Sequence, residues 1–284
     1  MLMKLSGFMA LDWGRRGSLW YAGNSMMLRG LNAVAFRLSK SRAGRWWLSL
    51  RLQRSITQCL RAVQPRLAKD NLLITTFFNQ NIPPEIPERQ HEVMASLLAE
   101  CSDVLWVPYN TSLNVNHEQF LDAMLKEAFR LVEHVLILDV DAIPLSRKAI
   151  DHVWNKSRAG ELVGAEQCAS HLGATHNYIS PAIACLSKEV YAQLGAPSAA
   201  ADTDNDVFER FTRIADERGV KLRPLRVSRY MAEPSWPLAD GRRFGIGTYY
   251  AADGKDLFFH NFCSRKSRGE SLQHFHRACS AAIR

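Results

Sequence analysis

The sequence predicts an α/β fold with a mostly parallel central sheet flanked by helices, preceded by a basic helical extension. Three observations carry this. From residue 71 onward, strand-like and helix-like stretches alternate, as parallel strands joined by crossover helices require. Residues 134–138, HVLIL, are almost wholly apolar, the composition of a strand buried on both faces. The formal charge of +8 is also unevenly spread: residues 1–70 hold thirteen Lys and Arg against only Asp12 and Asp70, net +11, while the rest is net −3. At 284 residues, 47% hydrophobic and 23% charged, the chain can bury a core, which excludes fibrous, collagen-like and wholly disordered classes.

The extension comes first. Leu48, Leu52, Ile56, Cys59, Leu60 and Val63 recur at intervals of three and four, so they share one side of a helix, with Arg51, Arg54 and Arg61 on the other. With Trp46 and Trp47 at its start, this helix fits the interface of an anionic membrane, or equally a surface helix packed on the main domain. Residues 65–70 read as a linker, which divides a basic amphipathic arm, 1–70, from a main domain, 71–284. Nothing downstream resembles a base-reading module, so no nucleic-acid partner is expected. The charge-free stretch 17–28 is shorter than the ~20 apolar residues of a membrane span, and residues 1–10 lack the pattern of a secretory signal. Six cysteines without any C-x-x-C pair read as reduced thiols. The expected location is cytoplasmic, peripheral on the inner membrane face if the arm meets lipid.

Within the main domain, residues 71–78 are a strand that ends in a turn-rich segment, 79–87. A helix is expected over 88–101, a strand over 104–107, and a helix over 117–132 with Phe120, Met124, Ala128 and Leu131 in register. The buried strand 134–138 follows. Its end is the most informative point in the chain: Leu138-Asp139-Val140-Asp141-Ala142-Ile143-Pro144. Carboxylates at i and i+2 leave a strand on the same side and can face one cation. The carboxyl ends of strands are where open α/β sheets bind ligands. Two Asp without Cys suit Mn²⁺ or Mg²⁺, which complete their coordination with phosphate oxygens. One Asp is explained by a polar turn that caps the next helix; two at this spacing are not.

With the strand order before it, LDVDAIPL resembles the Asp-x-Asp signature of nucleotide-sugar-dependent glycosyltransferases of the GT-A fold, in its bacterial and phage form. The resemblance covers roughly residues 71–270 and implies a GT-A-like, Rossmann-related domain. It implies Asp141 as principal metal ligand and Asp139 as a contact to both metal and donor. Residues 180–195 are similar to the family's strand and Ser-started helix on the acceptor side. Residues 201–220 resemble the acidic helix start that supplies a general base in inverting members, which points to Asp204 or Asp206. An Asp there also caps a helix without any catalytic part. Residues 256–268 end an apolar run in His260 and continue to Arg265, Lys266 and Arg268; the family brings a late His to the metal and basic groups to the diphosphate. Donor contacts are implied at Thr75, Thr76, Phe77 and Asn79. His274 and His276 read as surface residues of a terminal helix.

The implied reaction moves a sugar from a nucleoside diphosphate sugar to a hydroxyl acceptor, a glycan or lipid-linked molecule. Two alternatives stand beside it. Haloacid-dehalogenase phosphatases also carry Asp-x-Asp, but on the first strand and followed by Gly-Thr, where this chain has Ala142-Ile143. A non-catalytic membrane or partner-binding α/β protein would put the function in the basic arm instead.

Overall fold

A computed structural model describes residues 42–66, 68–79, 81–111, 115–262 and 269–284. It is an α/β protein with a large mixed sheet. The elements run α1 (Arg42–Val63), β1 (Leu72–Asn79), α2 (Glu85–Leu98), β2 (Val104–Thr111), α3 (His117–Ala128), β3 (His134–Leu138), β4 (Ala142–Pro144) and α4 (Arg147–Arg158). They continue with β5 (Leu162–Gln167), β6 (Tyr178–Ser187), α5 (Lys188–Gln193), α6 (Glu209–Arg218), β7 (Leu222–Arg229) and β8 (Ala232–Pro237). Last come β9 (Arg243–Ile246), β10 (Thr248–Ala252), β11 (Lys255–His260) and α7 (Glu270–Ile283).

Nine strands pair in the order β2-β1-β3-β6-β5-β7-β10-β11-β4, with β8 and β9 as a separate ribbon. Only β1 with β2, β1 with β3, and β5 with β7 are parallel; the other five pairings are antiparallel. The expected mostly parallel sheet is therefore corrected to a mixed one. Crossover helices separate the first three strands, but no helix falls between β7 and β11, so the neighbours β7, β10 and β11 have no crossover with which to run parallel.

The alternation of side chains along each strand sorts the core into two faces. Val135 and Ile137 join Leu73, Phe120, Met124 and Phe211 on one side; Leu136 and Leu138 join Met94, Ile150 and Trp154 on the other. Gly164 in β5 lies so close to β6 that an added Cβ would collide with the Ile183 carbonyl. A third cluster, Val140, Ile143, Phe259, Phe275 and Cys279, seals the ends of β3 and β4 beneath α2 and α7.

The apolar stripe of α1 is turned into this core: Leu52 is 1% exposed and Ile56 0%. Gln53 and Thr57 also bond Glu127 of α3, at 3.0 and 3.2 Å. Of the two readings of this helix, the structure shows the packed one for its apolar face; Arg51, Arg54 and Arg61 face outward. Among the described residues no helix is long and apolar enough to cross a membrane. The five described cysteines, Cys59, Cys101, Cys168, Cys185 and Cys279, are unpaired thiols.

Helix α2 begins three residues ahead of the expected start, because Pro87 falls within its first turn, where a missing N–H costs nothing. Pro108 is likewise tolerated in β2, an edge strand of the sheet. His274, expected at the surface, is buried on the inner side of α7.

Candidate metal centre

The turn between β3 and β4 carries Asp139, Val140 and Asp141. These two strands are third and ninth in the sheet, yet only three residues separate them. Four Cα steps span at most about 15 Å, so the sheet must curl until its last strand returns beside β3. The return brings β11 with it: His260 pairs in register with Ala142, the residue after Asp141. A histidine more than a hundred residues away along the chain thus reaches the aspartates through strand register.

Val140 packs into the third core cluster and anchors the turn. Its backbone is held by the Asp139 N–H donating to the Ala182 carbonyl at 2.9 Å and by the Asn261 N–H donating to the Asp141 carbonyl at 2.9 Å. In this frame His260 Nε2 lies 3.2 Å from Asp141 Oδ1 and 3.7 Å from Asp139 Oδ2. The potential ligand atoms of all three residues fall within 4.8 Å of one another. Asp141 is 8% exposed and His260 3%.

Burial works against charge on His260, but the hydrogen-bonding carboxylate of Asp141 and the charge of Asp139 outweigh it, holding the imidazole above its ordinary pKa. Asp141 is buried and Asp139 half-buried, and two carboxylates this close favour positive charge between them. Their donor set of carboxylate oxygens and one imidazole nitrogen, without a thiol, fits Mn²⁺ or Mg²⁺.

The cluster opens on a cavity of about 380 Å³, lined also by Phe77, Asn79, His117, Gln167, Ser180 and Phe262. Phe77 and Asn79 therefore reach the site. Thr75 and Thr76 do not: both are 0% exposed within β1, with Thr75 Oγ1 directed at the Val107 carbonyl and Thr76 Oγ1 accepting from the Trp106 indole. Only the carboxyl end of a strand buried on both faces meets the crevice. Phe262 lies against the His260 ring in a tilted contact, with centroids 3.9 Å apart and planes at 47°.

Asp204 and Asp206 do not line this cavity. The acids of the segment before α6 differ in what they meet. Asp202 accepts from the Asn205 side chain and from the Asp204 and Asn205 N–H groups, which holds it well below the usual carboxylate range. Asp206 accepts from the Tyr178 hydroxyl at 2.9 Å and from the Val207 N–H at 2.7 Å. Asp204 is exposed. Arg265, Lys266 and Arg268 lie outside the described residues.

His117 and Gln167 were not legible as site residues. His117 occupies the first position of α3, after an Asn116 cap closed by Gln119. Its Nε2 is 3.3 Å from Asp139 Oδ1, and its ring lies parallel to Phe77 at 5.9 Å. The available signal was topological, a helix that starts where a strand's carboxyl end opens the crevice.

No family model matches the chain, and no curated protein matches it. Among solved structures, the fold is similar to the mannosyltransferase PcManGT from Pyrobaculum calidifontis in complex with GDP-Man and Mn²⁺. That match has a TM-score of 0.39 and 12% identity, over 68% of this chain and 66% of that one. It is similar also to A197 from STIV, with a TM-score of 0.37 and 11% identity, over 65% of this chain and 98% of that one. Both scores are below 0.5, and the reading of the site rests on its own geometry.

Proposed function

We propose that the protein is a metal-dependent glycosyltransferase that moves a sugar from a nucleoside diphosphate sugar to a hydroxyl of a glycan or lipid-linked acceptor. The observation that carries this reading is the Asp139–Asp141–His260 cluster, a hard-cation donor set that opens on a cavity of about 380 Å³ at the carboxyl end of β3.

In this reading Asp141, Asp139 and His260 hold Mn²⁺ or Mg²⁺. A divalent ion there supplies positive charge to a diphosphate as it departs. Phe77 and His117 offer parallel aromatic rings for a nucleobase, and the Asn79 amide suits a ribose hydroxyl. Gln167 and Ser180, which also line the cavity, supply neutral hydrogen-bonding groups for sugar hydroxyls. Arg265, Lys266 and Arg268 follow His260 closely in sequence and carry the charge that a diphosphate attracts. Asp206 accepts from the Tyr178 hydroxyl, and neither it nor Asp204 lines the cavity, so neither is given the role of base.

The test incubates the full chain with Mn²⁺ and a panel of nucleoside diphosphate sugars, and measures release of nucleoside diphosphate. Release is expected with one donor, stopped by a chelator, restored by Mn²⁺ and absent in Asp141→Ala. Turnover that survives both chelation and Asp141→Ala would refute the reading. Hydrolysis of a simple phosphate ester instead would favour the phosphatase.

A further inference from the structure

We propose that Gln90 is a positioning residue of the metal centre, which sets the distance between the Asp139 and Asp141 carboxylates through the backbone of their turn. The proposal rests on the metal-binding reading of that cluster. Gln90 lies in the second turn of α2 and is 1% exposed. Its amide nitrogen is 2.7 Å from the Asp139 carbonyl and 2.7 Å from the Ala142 carbonyl. A side-chain amide has two N–H donors, and each meets one of these oxygens.

The two carbonyls bracket the turn. Asp139 is its first residue, and Ala142 is the first residue beyond Asp141. The Ala142 N–H also donates to the Asp139 carbonyl at 3.0 Å, so that oxygen closes the turn while Gln90 holds it from outside. Strand β6 fixes the Asp139 N–H and the chain after β11 fixes the Asp141 carbonyl. Gln90 adds a third direction, and it is the one that ties both ends of the turn to a single atom. Rotation of either peptide would swing a carboxylate away from His260, because the side chains are carried directly on that backbone.

The surroundings argue against simple filling. Ile86, Val93, Val140 and Ile143, with Phe78, form an apolar cluster around this part of α2. A leucine or methionine would fit such a place without the cost of burying an amide. Both donors of Gln90 are spent on the turn that carries the ligands: on the Asp139 carbonyl, which also accepts from the Ala142 N–H, and on the carbonyl of Ala142 in the edge strand β4.

The experiment measures Mn²⁺ affinity of the full-length protein from the free-ion electron paramagnetic resonance signal. It compares the native chain with Gln90→Met, which keeps the length and loses both donors, and monitors folding by circular dichroism and metal-free melting. Gln90→Met is expected to fold and to bind Mn²⁺ roughly 10-fold or more weakly, the usual loss when a partner that orients metal ligands is removed. A purely structural role would lower the melting temperature and leave the affinity of the folded protein at the native value, and that result would overturn the proposal. Gln90→Glu has the same shape and sets a carboxylate against two carbonyl oxygens. It is expected to lose at least as much affinity, and it decides the matter if Gln90→Met does not fold. Failure of the native chain itself to bind Mn²⁺ would instead overturn the metal-binding reading, and this proposal with it.

Discussion

His260 shows how much one side chain owes to its surroundings. It is 3% exposed, in tilted ring contact with Phe262 and faced by two carboxylates. Removing it as His260→Ala leaves Asp139 and Asp141 with oxygen ligands alone, so Mn²⁺ affinity should fall roughly 10-fold or more while Asp141→Ala abolishes binding. Isothermal titration on both variants checks this order. Equal, native-like affinity in His260→Ala would remove it from the ligand set. The aspartate pair was legible from its i, i+2 spacing at the end of an apolar strand, although both residues lie in the turn beyond β3 and not on the strand itself. His260 was legible only through resemblance, since its approach depends on the register of β11 with β4, which nothing in the local sequence encodes. Thr75 and Thr76, implied as donor contacts by the resemblance, have their hydroxyls directed inside the sheet.

Among the elements, α1 is the one whose role the sequence left open. A stripe of Leu and Ile at helical spacing is the same whether it meets lipid or protein. Its polar neighbours decide here: Gln53 and Thr57 reach Glu127 across the contact with α3, and Arg130 pairs with the same carboxylate at 2.9 Å. Burial alone would raise the pKa of Glu127, but the hydrogen bond from Gln53, the Arg130 charge and the Thr57 hydrogen bond together hold it below its ordinary value. A carboxyl group depressed on folding contributes stability above its unfolded pKa, near 4.5, and loses it as pH falls through the lower folded value. The melting temperature of the native chain should therefore decline more steeply below about pH 4.5 than that of Glu127→Gln. Parallel acid limbs in the two proteins would show that Glu127 does not couple α1 to the domain.

For the molecule as a whole, the α/β class was legible from alternating periodicities, whereas the direction of the later strands was not. Residues 222–260 contain no helix to act as a crossover, and Asp253-Gly254, both at positive φ, form the tight link between β10 and β11. An Asp-Gly pair between two apolar runs is a hairpin signal, and weighing it would have predicted an antiparallel half. That half matters for function, because the antiparallel run from β7 to β4 curls the sheet and delivers His260 to the aspartates. The charge is divided elsewhere, with an excess of +11 in residues 1–70 and a near-neutral remainder that gathers acids at one turn.

The most direct test of the account is thermal melting of the full chain with nucleoside diphosphates, with and without Mn²⁺. A ligand present at 100 times its Kd stabilises the native state by about 2.7 kcal/mol, which raises the melting temperature of a chain this size by roughly 5 °C. The account predicts such a rise with one nucleoside diphosphate only when Mn²⁺ is present, and none in Asp141→Ala. A rise of the same size without the metal, or one that persists in Asp141→Ala, would contradict it.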